Sequence, residues 1–135
     1  MDVNVLLALA WPNHQHHPAA HRWFSRSTKE GWATCPLTEL AFVRLSSNPA
    51  FTTDAVSPGD ALRLLARMCK LPGHRSWKEL PPVAELAAFA LIGHKQVNDA
   101  YLVLLAQKQK GVLATFDGRI AGWAGADKHV VVIEG

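Results

Sequence analysis

The sequence predicts an α/β domain, a three-layer sandwich with a central, mainly parallel sheet of about five strands flanked by helices. Segments with strand and helix character alternate along the chain, the pattern of a parallel sheet covered by helices. Val130-Val131-Val132-Ile133 is a β-branched run too apolar to face water, as strands inside such a sheet are. Four carboxylates, Asp2, Glu39, Asp99 and Asp117, lie within or at the ends of apolar runs. In open parallel sheets the carboxyl rim gathers ligands, so acids placed at strand ends and helix starts can meet there from distant parts of the sequence.

The elements follow in order. Residues 1–7 read as a strand running into a short helical turn. Within 13–29 the second part is helical, with Ala19, Ala20, Trp23 and Phe24 at helix spacing. Trp32-Ala33-Thr34-Cys35 is a short strand stopped by Pro36. Residues 37–47 carry Leu40, Phe42, Val43 and Leu45 in a helical pattern that Asn48-Pro49 ends, because the residue before proline leaves the α region. Ser57-Pro58 starts a helix, a serine cap with proline in the first helical position, and that helix runs to about Lys70. Residues 74–79 form a weakly signalled strand, and Pro81-Pro82 open a helix ending near Leu91. Asn98 caps the best helix in the chain, 99–108, and 112–116 and 130–133 are strands. No repeat, linker or low-complexity tract divides the chain, so residues 1–135 read as one domain.

Composition narrows the class. At 135 residues, with 49% apolar and 19% charged, the chain can bury a genuine core and is ordinary for a globular protein. No run approaches the roughly 18 apolar residues of a membrane span. Met1-Asp2 carries no basic leader, and Cys35 and Cys69 lack a CxxC spacing, which together suit reduced thiols in a cytoplasmic protein. The net charge is +3, and with four acids withdrawn into one pocket the remaining surface is basic. A basic surface around an acidic pit suits a polyanion held over metal ions.

The acids carry the chemistry. Only 11 residues of 135 are acidic, so committing four of them to apolar runs is costly. Desolvating an ionised carboxylate costs several kcal/mol unless a partner compensates. A shared divalent cation is the simplest such partner; four separate helix caps or ion pairs are the plainer alternative.

The same residues carry a resemblance. Asp2-Val3-Asn4-Val5-Leu6-Leu7-Ala8-Leu9-Ala10-Trp11, His17 with His21-Arg22-Trp23-Phe24, Thr38-Glu39-Leu40-Ala41-Phe42-Val43-Arg44-Leu45, Asn98-Asp99-Ala100-Tyr101-Leu102 and Leu113-Ala114-Thr115-Phe116-Asp117 stand in the order of a PIN-domain ribonuclease. The chain resembles in particular the VapC-type toxins of bacterial type II toxin–antitoxin pairs. Each piece alone is weak; the ordered set spans nearly the whole chain. The resemblance implies a metal-binding quartet of Asp2, Glu39, Asp99 and Asp117, with Asn4 and Thr115 as polar supports. It also implies an RNA substrate, a VapB-type antitoxin whose C-terminal tail enters the active-site groove, and a homodimer. Two departures stand out. The family usually has a few apolar residues before its first aspartate, whereas only Met1 precedes Asp2, so the start lies upstream or the strand is short. The position before the third acid, often threonine in the family, is Asn98 here, an equally good cap.

Oxygen-only ligands suit Mg²⁺ or Mn²⁺, and one or two such ions could activate a water for in-line phosphodiester displacement. Without metal the clustered carboxylates repel, so at least one pKa should rise. Other features are ambiguous. His14, His16, His17 and His21 read as a zinc cluster or as polar surface at a helix start, with Pro18 interrupting them. Arg22, Arg26 and Lys29, and Arg63, Arg67 and Lys70, form basic stripes that are either solvated faces or RNA contacts. Arg44 shares a helix with Glu39 and is a candidate support for the site, either a buried arginine that pairs with an acid or is reached by a partner's tail, or a residue outside the pocket. Trp23 and Trp32 read as core; Trp11, Trp77 and Trp123 are candidates for exposure. The leading expectation is thus a metal-dependent endoribonuclease toxin. A PIN nuclease without an antitoxin, or a non-catalytic Mg²⁺-binding α/β regulatory module, are the alternatives. The regulatory module is disfavoured because Asp2-Val3-Asn4 lacks an adjacent acid pair.

Overall fold

The computed structural model describes residues 1–91, 93–122 and 127–134. They form two compact units, one of Met1 with Val3–Lys78 and the other of Asp2 with Glu79–Glu134. Each holds one pair of parallel strands, so the described strands make two two-stranded sheets where one sheet of about five was expected.

In the first unit, α1 (Val3–Ala10) takes the place of the strand running into a short helical turn expected over residues 1–7. Leu6, Leu7, Ala8, Leu9 and Ala10 are strong helix formers and outweigh the two β-branched valines. Val5, Leu6, Leu7 and Ala8 are buried, and α1 packs on α2 (His17–Ser27) and α3 (Pro36–Ser46). His17 Nδ1 lies 2.7 Å from the Ala8 carbonyl and His21 Nε2 lies 3.0 Å from that of Leu9. These two imidazoles therefore satisfy carbonyls left open at the end of α1, which gives two of the four histidines a structural role. Helix α3 starts where Pro36 permits, behind a cap at Cys35 that bonds with Thr38, and it packs against α4 (Pro58–Met68). Ser57 caps α4 as the sequence indicates, its Oγ accepting from the Asp60 amide.

Strand β1 (Trp32–Thr34) runs parallel to β2 (His74–Ser76), pairing Trp32 with His74 and Thr34 with Ser76. Gly31 and Gly73 enter these strands with φ of +115° and +84°, and a Cβ on either would meet the other's backbone at 3.2 Å. Only glycine allows both the left-handed conformation and that approach. Trp32 is core as expected, its indole N–H donating to the Pro72 carbonyl, while Trp11, Trp23 and Trp77 are half-buried. Trp123 lies outside the described residues.

In the second unit, α5 (Val97–Lys108) is buried at all seven positions from 100 to 106, a helix apolar on every side. It begins two residues earlier than expected, so Asn98 lies inside its first turn rather than capping it. Leu86, Ala100, Tyr101 and Leu104 cluster with Phe89 and Leu91, and the 82–91 segment holds a 3₁₀ turn, Val83–Ala88, in place of a full helix. Strand β3 (Leu113–Thr115), wholly buried, pairs in parallel with β4 (Val130–Val132), and Asp2 N–H donates to the Ala114 carbonyl at 3.0 Å. A single helical turn, α6 (Gly118–Ala121), follows β3. Among the described residues no helix is long and apolar enough to cross a membrane.

Candidate active site

Three of the four acids belong to the second unit, and a threonine hydroxyl joins two of them. Thr115 ends β3 with no exposed surface. Its Oγ1 donates to Asp2 Oδ2 at 2.9 Å and accepts from the Asp117 amide at 3.1 Å. One hydroxyl thus fixes a carboxylate from the chain's beginning and the backbone of the acid that follows the strand. Asp99 stands in the first turn of α5, where a negative charge opposes the helix dipole favourably. Its carboxyl is nevertheless pushed up to about 6, by burial first and then by the negative charges of Asp2 and Asp117, with Arg119 partly offsetting them. The repulsion expected of clustered acids is therefore present in this trio.

Asp117 differs from its neighbours. It caps α6, accepting from the Arg119 amide at 3.0 Å, and it takes the Arg119 guanidinium in a two-pronged pair at 3.0 and 2.8 Å. The Arg119 side-chain bonds hold its carboxyl below the usual range, against the opposing pull of burial. Asp2 is 7% exposed, and among the described residues neither it nor Asp99 forms an ion pair with a lysine, arginine or histidine. Two carboxylates without a paired cation, one of them buried, make an oxygen-only site of the kind hard divalent cations fill.

Glu39 belongs to the first unit, in the first turn of α3. Thr34, 1% exposed, donates from Oγ1 to Glu39 Oε2 at 2.5 Å, and the same hydroxyl lies 2.8 Å from His74 Nε2. Glu39, Cys69 and His74 each present a ligand-type atom, all within 4.8 Å of one another. Burial pushes the Cys69 thiol up, the Glu39 charge adds to that shift, and a bond with Thr34 opposes it. Burial lowers the His74 pKa, with Glu39 pulling the other way.

The supporting residues divide. Thr115 bonds within the acid trio, whereas Asn4 is exposed on α1. Arg44 is exposed near the end of α3, not buried beside the acids, and has no ion pair among the described residues. Sequence reasoning missed Arg119, although an arginine two positions after an acid at a helix start was a readable signal. It also missed Thr34, Cys69 and His74 as neighbours of Glu39, because they lie on three separate elements.

The sequence has relatives. The PIN-domain family model matches residues 1–125, and the chain belongs to the PIN-domain family. It is similar to several VapC proteins of Mycobacterium tuberculosis. It is 43% identical over 129 residues to ribonuclease VapC39, covering 93% of each chain. It is 40% identical to ribonuclease VapC38 over 120 residues, 89% of this chain and 85% of the relative. Ribonuclease VapC44 is 37% identical over 124 residues, 90% and 87% of the two chains.

Proposed function

We propose that this protein is a Mg²⁺- or Mn²⁺-dependent endoribonuclease acting as the toxin of a toxin–antitoxin pair. The observation that carries this reading is the trio of Asp2, Asp99 and Asp117, two of them joined through Thr115 and the third with its carboxyl raised by burial and by the charges of the other two. The names of the PIN-domain relatives, all ribonucleases, support RNA as substrate.

In this reading Asp2, Asp99 and Asp117 hold the metal, and Glu39 joins them by the family pattern. The oxygen-only donor set of the trio fits a hard cation that keeps several waters and binds phosphate oxygens. The bound ion supplies Lewis acidity and a nucleophilic water at neutral pH. The chain's own residues supply placement. Thr115 orients the Asp2 carboxylate and, through the Asp117 amide, sets where that acid stands. Arg119 pairs with Asp117 and, with its side chain 90% exposed, would be placed to meet a phosphate of the RNA. Asn4 and Arg44, both exposed, are available to the RNA or to an antitoxin tail.

The same reading makes residues 1–135 a single PIN domain, with its strands part of one PIN-like central sheet, acting in the cytoplasm as a homodimer. A VapB-type antitoxin would neutralise it. The test is RNA cleavage by the purified chain with Mg²⁺ or Mn²⁺ and with chelator. Cleavage that needs the ion, and is lost in Asp99→Asn and Asp117→Asn, supports the reading; undiminished cleavage in chelator overturns it. Co-expression with an upstream small reading frame tests the toxin assignment separately, by complex formation and loss of cleavage.

A further inference from the structure

The residues around Glu39 have a different character from the acid trio. Glu39 offers oxygen, His74 nitrogen and Cys69 sulfur, from the start of α3, the start of β2 and the cap that ends α4. A site built only to hold Mg²⁺ has no use for a thiol or an imidazole, because hard cations select oxygen. Borderline-soft Zn²⁺ favours sulfur, nitrogen and oxygen together, with bonds of about 2.3 Å to thiolate and about 2.0–2.1 Å to imidazole. In tetrahedral coordination two such ligand atoms stand about 3.6 Å apart across one ion. The three donor atoms already lie within 4.8 Å of one another, so small side-chain rotations close the set.

The Thr34 hydroxyl explains why they are gathered. A hydroxyl donates once and can accept twice. Here it donates to Glu39 and meets His74 and Cys69. All three ligand groups are only half-buried, so an ion can reach them, whereas the other thiol, Cys35, is 3% exposed. The Trp32 ring packs edge-on against His74 at 4.7 Å between centroids and limits the imidazole's freedom.

We propose that Glu39, Cys69 and His74 form a three-ligand site for Zn²⁺ or a similar borderline-soft ion, and that filling it withdraws Glu39 from RNA cleavage. On binding, Cys69 yields its thiol proton to solvent and ligates as thiolate, His74 ligates as neutral imidazole, and water takes the remaining position. The inhibitory half of the proposal rests on the nuclease reading; the binding half does not.

The experiment titrates Co²⁺ into the reduced, metal-free full-length chain. One equivalent should produce visible ligand-field bands and a near-ultraviolet thiolate-to-cobalt charge-transfer band. Zn²⁺ should bleach both, and excess Mg²⁺ should not. Cys69→Ser should remove the charge-transfer band and weaken binding by at least the ~10–100-fold that even an outer-shell partner contributes, and His74→Asn should weaken it comparably. Cys35→Ser should keep the band, and circular dichroism of each variant confirms that it folds. A folded wild-type chain with no thiolate band, or a Cys69→Ser variant that retains it, overturns the site. Zn²⁺ should lower Mg²⁺-supported cleavage about tenfold in the wild type, with the ratio close to one in Cys69→Ser. Unchanged cleavage at full occupancy overturns the inhibitory half, whereas absence of cleavage under every condition overturns the nuclease reading and leaves the spectroscopic result standing.

Discussion

Thr115 and Asp2 are separated by 113 positions in the chain and joined by a 2.9 Å hydrogen bond from the threonine hydroxyl to the carboxylate. Both are buried, so no water compensates if the bond is lost. Thr115→Val preserves shape and removes the hydroxyl. It leaves Asp2 Oδ2 without that donor and frees the Asp117 amide, at a cost of about 1–3 kcal/mol. Chemical denaturation should show this loss, and Mg²⁺-dependent cleavage should fall by at least tenfold because the carboxylate is no longer oriented. A variant equal to wild type in both assays would dismiss Thr115 as an organiser.

Asp99 makes stability depend on pH in a defined direction. Its carboxyl titrates at about 6 when folded against an ordinary 3.8, so between those values the folded chain holds a proton that the unfolded chain releases. The protonated group therefore favours folding fully below pH of about 4, and that contribution is lost as pH rises through about 6. Asp99→Asn escapes the loss. It should be more stable than wild type by about 1 kcal/mol above that range, after discounting the full shift for the group's exposure, and gain little near pH 4. Melting curves across this range check it.

The same proton opposes metal. A divalent ion needs Asp99 ionised, so Mg²⁺ should raise the melting temperature above pH of about 6 and do so less as pH falls below it. At a free concentration a hundred times Kd the gain is about 2.7 kcal/mol. A melting temperature indifferent to Mg²⁺ at neutral pH would count against the trio as a metal site.

Arg119 acts as a built-in counter-ion. Removing it in Arg119→Ala takes away the bonds that hold Asp117 low and the charge that offsets Asp99's rise. The Asp99 carboxyl should then titrate higher, visible as an upward shift by carbon-detected NMR, while Mg²⁺ binds more tightly because no guanidinium competes for Asp117. Isothermal titration of the variant against wild type measures the second effect.

The four acids stood out in the sequence because each interrupted an apolar run, and three of them share one electrostatic environment here. The Ser57 cap, the β3 and β4 strands and the helical state of α5 were also legible, since each has a local chemical signature. The helical state of residues 3–10 was not. Val3 and Val5 speak for a strand, while the following leucines and alanines speak for a helix, and burial of residues 5–8 decides between them. The exposure of Arg44 was not legible, because position on a helix does not give its facing without knowing which stripe is buried. The Glu39, Cys69 and His74 grouping depends on tertiary closure of three elements, which no spacing in the chain announces.

Helix α5 has no wet side from residue 100 to residue 106, and Asp99 stands immediately before that stretch. The acid is thus mounted on the end of a rod seated in a socket. Backbone amides along the rod should exchange with deuterium only when the whole unit opens, so Asp99 keeps its place until the fold itself is lost. A substitution such as Leu105→Ala, at a side chain 1% exposed, would be felt first as a shorter-lived protein, at about 2–5 kcal/mol, rather than as a retuned enzyme. On the proposed nuclease reading, any change in which RNA is cut is then written on the exposed faces, and the rod sets only how long the tool lasts.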